Sequence, residues 1–254
     1  MILISYIIIT LISLISCVSI AWLIYLWKKN PSIIDVFWSL SIAMSMTITG
    51  IILNAQTNFW IITIMILLWA SRLSLYLFVT KIYQNHQDIR YIKMINRWGE
   101  KSNFKFYQNM IIQATLQWIL VSSFYSLLHQ NTSPNLLTYI SIIIIIIGII
   151  GEWIADYQLY RHKKINSSIC QNGLWRLSRH PNIFFEIIIW FGFGLLGTSL
   201  NGHWTTFNGL MGTFIICKFI TCPYTEKCSI EKHKDAYSKY QKKTPMIFPF
   251  IRKK

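Results

Sequence analysis

Between Gly173 and Gly192 the chain reads Gly-Leu-Trp-Arg-Leu-Ser-Arg-His-Pro-Asn-Ile-Phe-Phe-Glu-Ile-Ile-Ile-Trp-Phe-Gly. Two guanidinium groups (Arg176, Arg179), an imidazole (His180) and an amide (Asn182) stand at the head of a long apolar run. Pro181 falls where a helix takes its first turn, and proline is tolerated there because the N–H it lacks is one a helix start leaves unpaired. A helix start also carries partial positive charge, so these side chains would complete a seat for a phosphate or another anion. Arginines at the edge of a membrane span also act as topogenic charges facing the cytoplasm. That second reading leaves Glu186 unexplained, since an acid one turn inside a span is costly and faces a partner or a cavity.

Other ionisable groups sit in apolar surroundings: Asp35, Arg72, Glu152 and Asp156. Glu152 and Asp156 are four residues apart and share a helix face, where like charges repel unless a cation or donor lies between them. Arg72, Arg161, Arg176 and Arg179 are the available donors. A polar pocket open to the cytoplasm, lined by the third, fifth and sixth apolar segments, would satisfy the whole set. Buried ion pairs that only pin helices together are the competing account. A second polar cluster, Tyr83-Gln84-Asn85-His86-Gln87-Asp88-Ile89-Arg90-Tyr91, offers Arg90 to grip a phosphate in a way lysine would not. Its tyrosines also suit a membrane interface.

The elements that must carry these groups are apolar helices. The chain has 254 residues, 54% of them hydrophobic and 13% charged, which marks a polytopic membrane protein. About 20 apolar residues cross a bilayer core of about 30 Å. Seven spans are expected, at about 2–27, 33–53, 58–79, 107–128, 135–155, 181–198 and 204–221, followed by an amphipathic helical tail ending in Phe248-Pro249-Phe250. The all-α bundle forms a single integral membrane domain over residues 1–254. Residues 1–130 would be its substrate side and 131–254 its cofactor-binding side.

Basic residues are distributed very unevenly. The segments after spans one, three and five and the tail counted from Lys218 hold 23 of the 24 lysines and arginines, and the opposite loops (54–57, 129–134, 199–203) hold none. This places the N-terminus outside and the C-terminus in the cytoplasm. The net charge of +15 is spread over loops and a tail. It therefore fits anionic lipid headgroups and not nucleic acid. Cys17, Cys170, Cys217, Cys222 and Cys228 show neither a disulfide framework nor metal-site spacing. No Gly-rich phosphate loop, His-Glu-x-x-His or Gly-x-Ser-x-Gly is present, so a cofactor would sit between helices.

Several blocks together are similar to one family. These are Gly151-Glu152-Trp153-Ile154-Ala155-Asp156-Tyr157-Gln158, Gln171 through Asn182, Glu186 with Trp190-Phe191-Gly192, Tyr237-Ser238-Lys239-Tyr240 and Thr244-Pro245-Met246-Ile247-Phe248-Pro249. They resemble the C-terminal region of the steroid 5-alpha-reductase superfamily, within its branch of small membrane proteins. Asp35-Val36-Phe37-Trp38, Trp69-Ala70-Ser71-Arg72-Leu73 and Asp88-Ile89-Arg90-Tyr91 are similar to that branch's N-terminal signatures. The resemblance implies NADPH bound from the cytoplasmic side, with Arg72, Asp156, Asn182 and Glu186 around it. The arginines, Arg161, Arg176 and Arg179 among them, and the tail with Tyr240 would cover its phosphates, and His180 belongs to the same cofactor-binding set. It further implies hydride transfer to the β-carbon of a conjugated C=C bond in a lipophilic substrate.

Two departures bear on catalysis. Trp69 stands where the steroid enzymes place a carbonyl-polarising tyrosine, and their Gln-Glu pair is not visible. Asp35, with Tyr91 as donor, is left as the catalytic candidate. Arg179-His180-Pro181 also looks like membrane methyltransferases that seat S-adenosylmethionine, although those carry a Glu-Glu pair where this chain has Glu226-Lys227. A non-catalytic lipid-binding protein is the third class in view.

Overall fold

The computed structural model describes residues 2–201 and 204–249, and all regular structure among them is helical. Phe250, the basic residues at 252–254, and positions 202–203 of the last expected outer loop lie outside the described residues. Two compact units divide the chain, residues 1–134 with 197–206, and residues 135–196 with 207–254.

The first unit is built from α1 (Ile2–Lys28), α2 (Ile33–Ile52) and α3 (Thr57–Leu77). A π-helical stretch, Phe78–Tyr83, prolongs α3, and α4 (Ile89–Trp98) and α5 (Ser102–Ser122) follow. α1 and α3 are apolar outside, and hydroxyl and amide contacts join the helices inside. Ser13 Oγ donates to Ser45 Oγ at 2.8 Å, and Ser41 Oγ to Gln117 Oε1 at 2.9 Å. The Tyr6 hydroxyl donates to the Val121 carbonyl at 2.8 Å. Between helices in lipid, where no hydrophobic force draws apolar faces together, such bonds contribute about 0.6–2 kcal/mol each.

The second unit contains α6 (Leu136–Ile165), the single turn α7 (Leu174–Leu177) and most of α8 (Pro181–Asn201). Next come α9 (Asn208–Ile215), a π-helical stretch Ile216–Thr221 and α10 (Cys222–Lys243). Asn135 and Thr138 start α6 with a reciprocal capping box, at 3.1 and 3.2 Å. The backbones of α6 and α8 approach so closely that a Cβ on Gly151 would lie 2.3 Å from the Phe185 ring. One on Gly148 or Gly192 would come within 2.6 Å of Ile189 or Ile145. Small residues permit this approach, as they do between helices in lipid generally.

Six helical segments are long and apolar enough to cross a membrane: Ile2–Lys28, Ile33–Ile52, Thr57–Tyr83, Leu136–Ile165, Pro181–Leu200 and Trp204–Lys243. The last holds an apolar part up to Thr221 and then polar α10. The segment expected as the fourth span is a helix, but as Ser102–Ser122 it starts earlier and carries Lys105, Gln108, Asn109, Gln113 and Gln117. Those side chains keep α5 below the apolarity of a span. In contrast, α6 outruns its expected end near residue 155 and stops at Ile165. Its last turn carries His162, Lys163 and Lys164, cations that favour a helix C-terminus.

Candidate functional site

In the first unit, the start of α2, the end of the π-helical stretch and the start of α4 converge on four charges. Asp88 caps α4 by accepting the Arg90 backbone N–H at 3.0 Å, which fixes the helix start. Arg90 Nε donates to Asp88 Oδ1 at 2.9 Å, and Arg90 Nη2 reaches Asp35 Oδ2 at 3.1 Å. Lys81 Nζ contacts Asp88 Oδ2 at 2.8 Å. The Tyr91 hydroxyl donates to Asp35 Oδ1 at 2.5 Å. Two acids are thereby matched by two cations, and the buried Tyr91 phenol is held against one carboxylate. Burial alone would push the Asp88 carboxyl up, but hydrogen bonds and charge from Arg90 and Lys81 hold it well below the usual carboxylate range. Burial, followed by the Asp35 charge, raises the Tyr91 phenol well above its ordinary value. Tyr91 therefore keeps its proton at neutral pH.

The second unit places its charges around the start of α8. Gly173, at φ +57°, turns the chain where a Cβ would lie 2.6 Å from the Gln158 amide. That amide accepts the Leu174 N–H at 3.0 Å, and Trp175 Nε1 donates to the Ala155 carbonyl at 2.9 Å. Anchored in this way on α6, α7 delivers Arg179 and His180 to the segment beyond α10. The Arg179 N–H donates to the Pro245 carbonyl and the His180 N–H to the Met246 carbonyl, both at 3.0 Å. Arg179 Nε donates to Glu226 Oε1 at 2.6 Å. Its Nη1 meets the carbonyls of Gln241 at 2.9 Å and Thr244 at 2.6 Å. Glu226 also lies 3.3 Å from His180 Nε2 and accepts from Gln241 Nε2 at 2.8 Å. Burial opposes its ionisation, yet the His180 and Arg179 hydrogen bonds hold its carboxyl down at about 2. The Tyr240 hydroxyl closes this strap of residues 240–248 by donating to the Trp175 carbonyl.

A cavity of about 660 Å³ opens beside this network. Arg179, Lys218, Lys242 and Lys243 line it against one acid, Glu226, with the segment Thr244–Phe248 forming another part of the wall. Ligand pockets commonly span about 300–1,000 Å³, so the volume suits a cofactor-sized molecule. Four cations facing one carboxylate suit an anion.

The residues expected to bind a cofactor are distributed as follows. Arg179, His180 and Tyr240 are buried together in the second unit. Asp156 is buried on α6, while Arg161 and Arg176 are exposed. Glu186 is half-buried and accepts Trp190 Nε1 at 2.9 Å, and half-buried Asn182 follows Pro181 in the first turn of α8. Arg72 is half-buried on α3 in the first unit. Asp35 and Tyr91, expected as a pair, are in direct contact. The backbone amides of Arg179 and His180, at the edge of the expected anion seat, are met by the chain's own carbonyls. Lys218, Lys242 and Lys243 were not singled out, and Glu226 was noted only where membrane methyltransferases carry a Glu-Glu pair, not as the partner of Arg179. Glu226 is one of nine acidic residues and stands within a lysine-rich segment, a second sequence signal that marks it.

The fold and these polar centres define a helical integral membrane protein. The chain belongs to the family described as protein of unknown function DUF1295, whose profile matches residues 21–244. It is similar to a Schizosaccharomyces pombe protein named "Uncharacterized protein C594.04c", at 25% identity over 91% of this chain and 76% of the relative. No solved structure matches the chain.

Proposed function

We propose that this protein is a membrane-embedded, NADPH-dependent reductase of a conjugated C=C bond in a lipophilic substrate. The observation that carries the reading is the cation-lined cavity beside Arg179 and Glu226. A dinucleotide with an extra phosphate monoester brings a pyrophosphate and about −1.5 to −2 further charge, which matches the excess of cations on the wall. Lys218, Lys242 and Lys243 would neutralise phosphate oxygens as mobile point charges. Glu226 keeps Arg179 fixed, and Ser238 and Gln241 add hydrogen-bonding groups. Bound NADPH would supply the hydride. The reduction also takes up one proton, which water entering the cavity would supply. A cation on the wall would stabilise the enolate oxygen as charge develops.

In detergent, NADPH should raise the melting temperature of the purified protein and S-adenosylmethionine should not, since a ligand that binds only the folded state stabilises it by mass action. Lys242→Gln with Lys243→Gln should reduce that shift. Glu226 favours a second reading, because an acid next to a guanidinium would suit the amino-acid end of S-adenosylmethionine. A larger shift with the methyl donor than with NADPH would replace the reductase by a methyltransferase.

A further inference from the structure

The reductase reading leaves unused the basic surface that follows Tyr91. Arg90 and Lys81 are consumed by Asp35 and Asp88, but Arg97, Lys101 and Lys105 are not. Lys93, Arg97, Lys101 and Lys105 are all exposed, and Glu100 is the lone acid between residues 92 and 106. Among the described residues, Arg97, Lys101 and Lys105 have no ion pair.

The roll of α4 is fixed from its inner side, by the Asp88 cap and by the buried Tyr91 bonded to Asp35. At about 100° per residue, Lys93 and Arg97 then fall on the face opposite Tyr91. The depth of this surface is set by α1. Trp22 Nε1 donates to the Asn103 carbonyl and the Tyr25 hydroxyl to Asn103 Oδ1, both at 3.2 Å. Lys101 and Lys105 therefore stand level with the last turns of α1, where Trp27 is 75% exposed and Lys28 lies over its ring at 3.9 Å. Aromatic and basic residues at the end of a span mark the bilayer edge. Exposed apolar side chains accompany the cations, Ile89 at 53% and Phe104 at 63%.

We propose that α4 and the first turns of α5 form an interfacial platform that binds the headgroups of anionic phospholipids in the adjoining leaflet. Phe104 and Ile89 would enter the acyl boundary while Arg97, Lys101 and Lys105 meet the phosphates. Apolar burial combined with attraction to anionic lipid is what holds such helices at a surface, and each cation there strengthens binding by about fivefold at low salt.

Native mass spectrometry of the full chain in neutral detergent, with phosphatidylglycerol or phosphatidylcholine added, tests this. The wild type should retain phosphatidylglycerol about tenfold or more over phosphatidylcholine at low salt and lose most of that preference at about 0.5 M salt. R97Q/K101Q/K105Q should bring the two lipids close to parity. K227Q/K232Q/K239Q, which removes three exposed lysines from α10, should leave the preference intact. Should the triple variant fold poorly, R97Q alone and K101Q/K105Q should each lose part of the preference. Added inorganic phosphate should not displace the lipid. Equal retention of the two lipids by the wild type, an unchanged preference in the α4–α5 variants, an equal loss in the α10 variant, or displacement by free phosphate would each overturn the proposal.

Discussion

Arg179 and Glu226, 47 residues apart in sequence, meet at 2.6 Å, and the same guanidinium holds the carbonyls of Gln241 and Thr244. One buried cation thus ties the head of α8 to both parts of the chain that wall the cavity. Removing one partner of a buried pair leaves an uncompensated charge, which costs about 3–5 kcal/mol. Glu226→Ala should lose stability in the lower part of that range, because Arg179 keeps its two carbonyls. Hydrogen exchange should accelerate over residues 240–248 more than in α1 or α2. Unchanged protection there would show that the pair does not hold the strap. Arg179→Lys should behave similarly, since one ammonium does not reproduce the fork.

Acid should loosen the same strap. Glu226 titrates near 2 in the folded chain, against an ordinary 4.5, and Asp88 is likewise held low. A group with a depressed folded value binds its proton more readily when unfolded. Its stabilisation is therefore complete above the unfolded value and is lost as pH falls through the folded one. For Glu226 the window runs from about 4.5 down to about 2. Melting temperatures from about pH 6 to about pH 3 should fall more steeply for the wild type than for Glu226→Gln. Parallel curves would sever Glu226 from the acid sensitivity.

Close packing in the second unit gives a sharper test of geometry. A methyl on Gly151 would sit 2.3 Å from the Phe185 ring, so Gly151→Ala should destabilise by about 1–3 kcal/mol through overpacking. Combined with Phe185→Ala, the two changes should be non-additive, with the double variant more stable than the sum predicts. Strict additivity in thermal unfolding would mean that the helices do not approach there.

The sequence was legible where polarity interrupted apolar runs. Asp35 stood out as an acid among Ile, Val and Trp, and Tyr91 as a donor in the polar segment 83–91, and the two meet at 2.5 Å. Span boundaries were less legible, because a change from apolar to charged residues is not a change from helix to loop. Arg161, Lys163 and Lys164 are good helix formers, so α6 continues past Asp156 to Ile165. In α5, Gln117 is satisfied inside the unit by donating to the Trp38 carbonyl at 3.2 Å, a partner that spacing along the chain does not reveal. Glu226 was the least visible of all. Its significance is tertiary and depends on residues 226, 241 and 244 folding back on Arg179, which no local period encodes.

Tyr91 distinguishes a catalytic role from a merely structural one. Tyr91→Phe removes the hydroxyl that donates to Asp35 but leaves the Arg90 contact to the same carboxylate. Losing one hydrogen bond should cost about 0.5–1.5 kcal/mol of stability. The phenol gives its single proton to Asp35, so the thermal shift with NADPH should stay that of the wild type, and turnover of an enone substrate should not show the loss of about 10²- to 10⁴-fold that removing a general acid brings. Asp35→Asn should preserve shape yet cost more stability than Tyr91→Phe, because Arg90 then loses one of its two carboxylate partners. A loss of turnover of that size in a Tyr91→Phe protein that still folds and still binds NADPH would instead make the phenol a catalytic acid and the Asp35–Tyr91 contact more than a helix anchor.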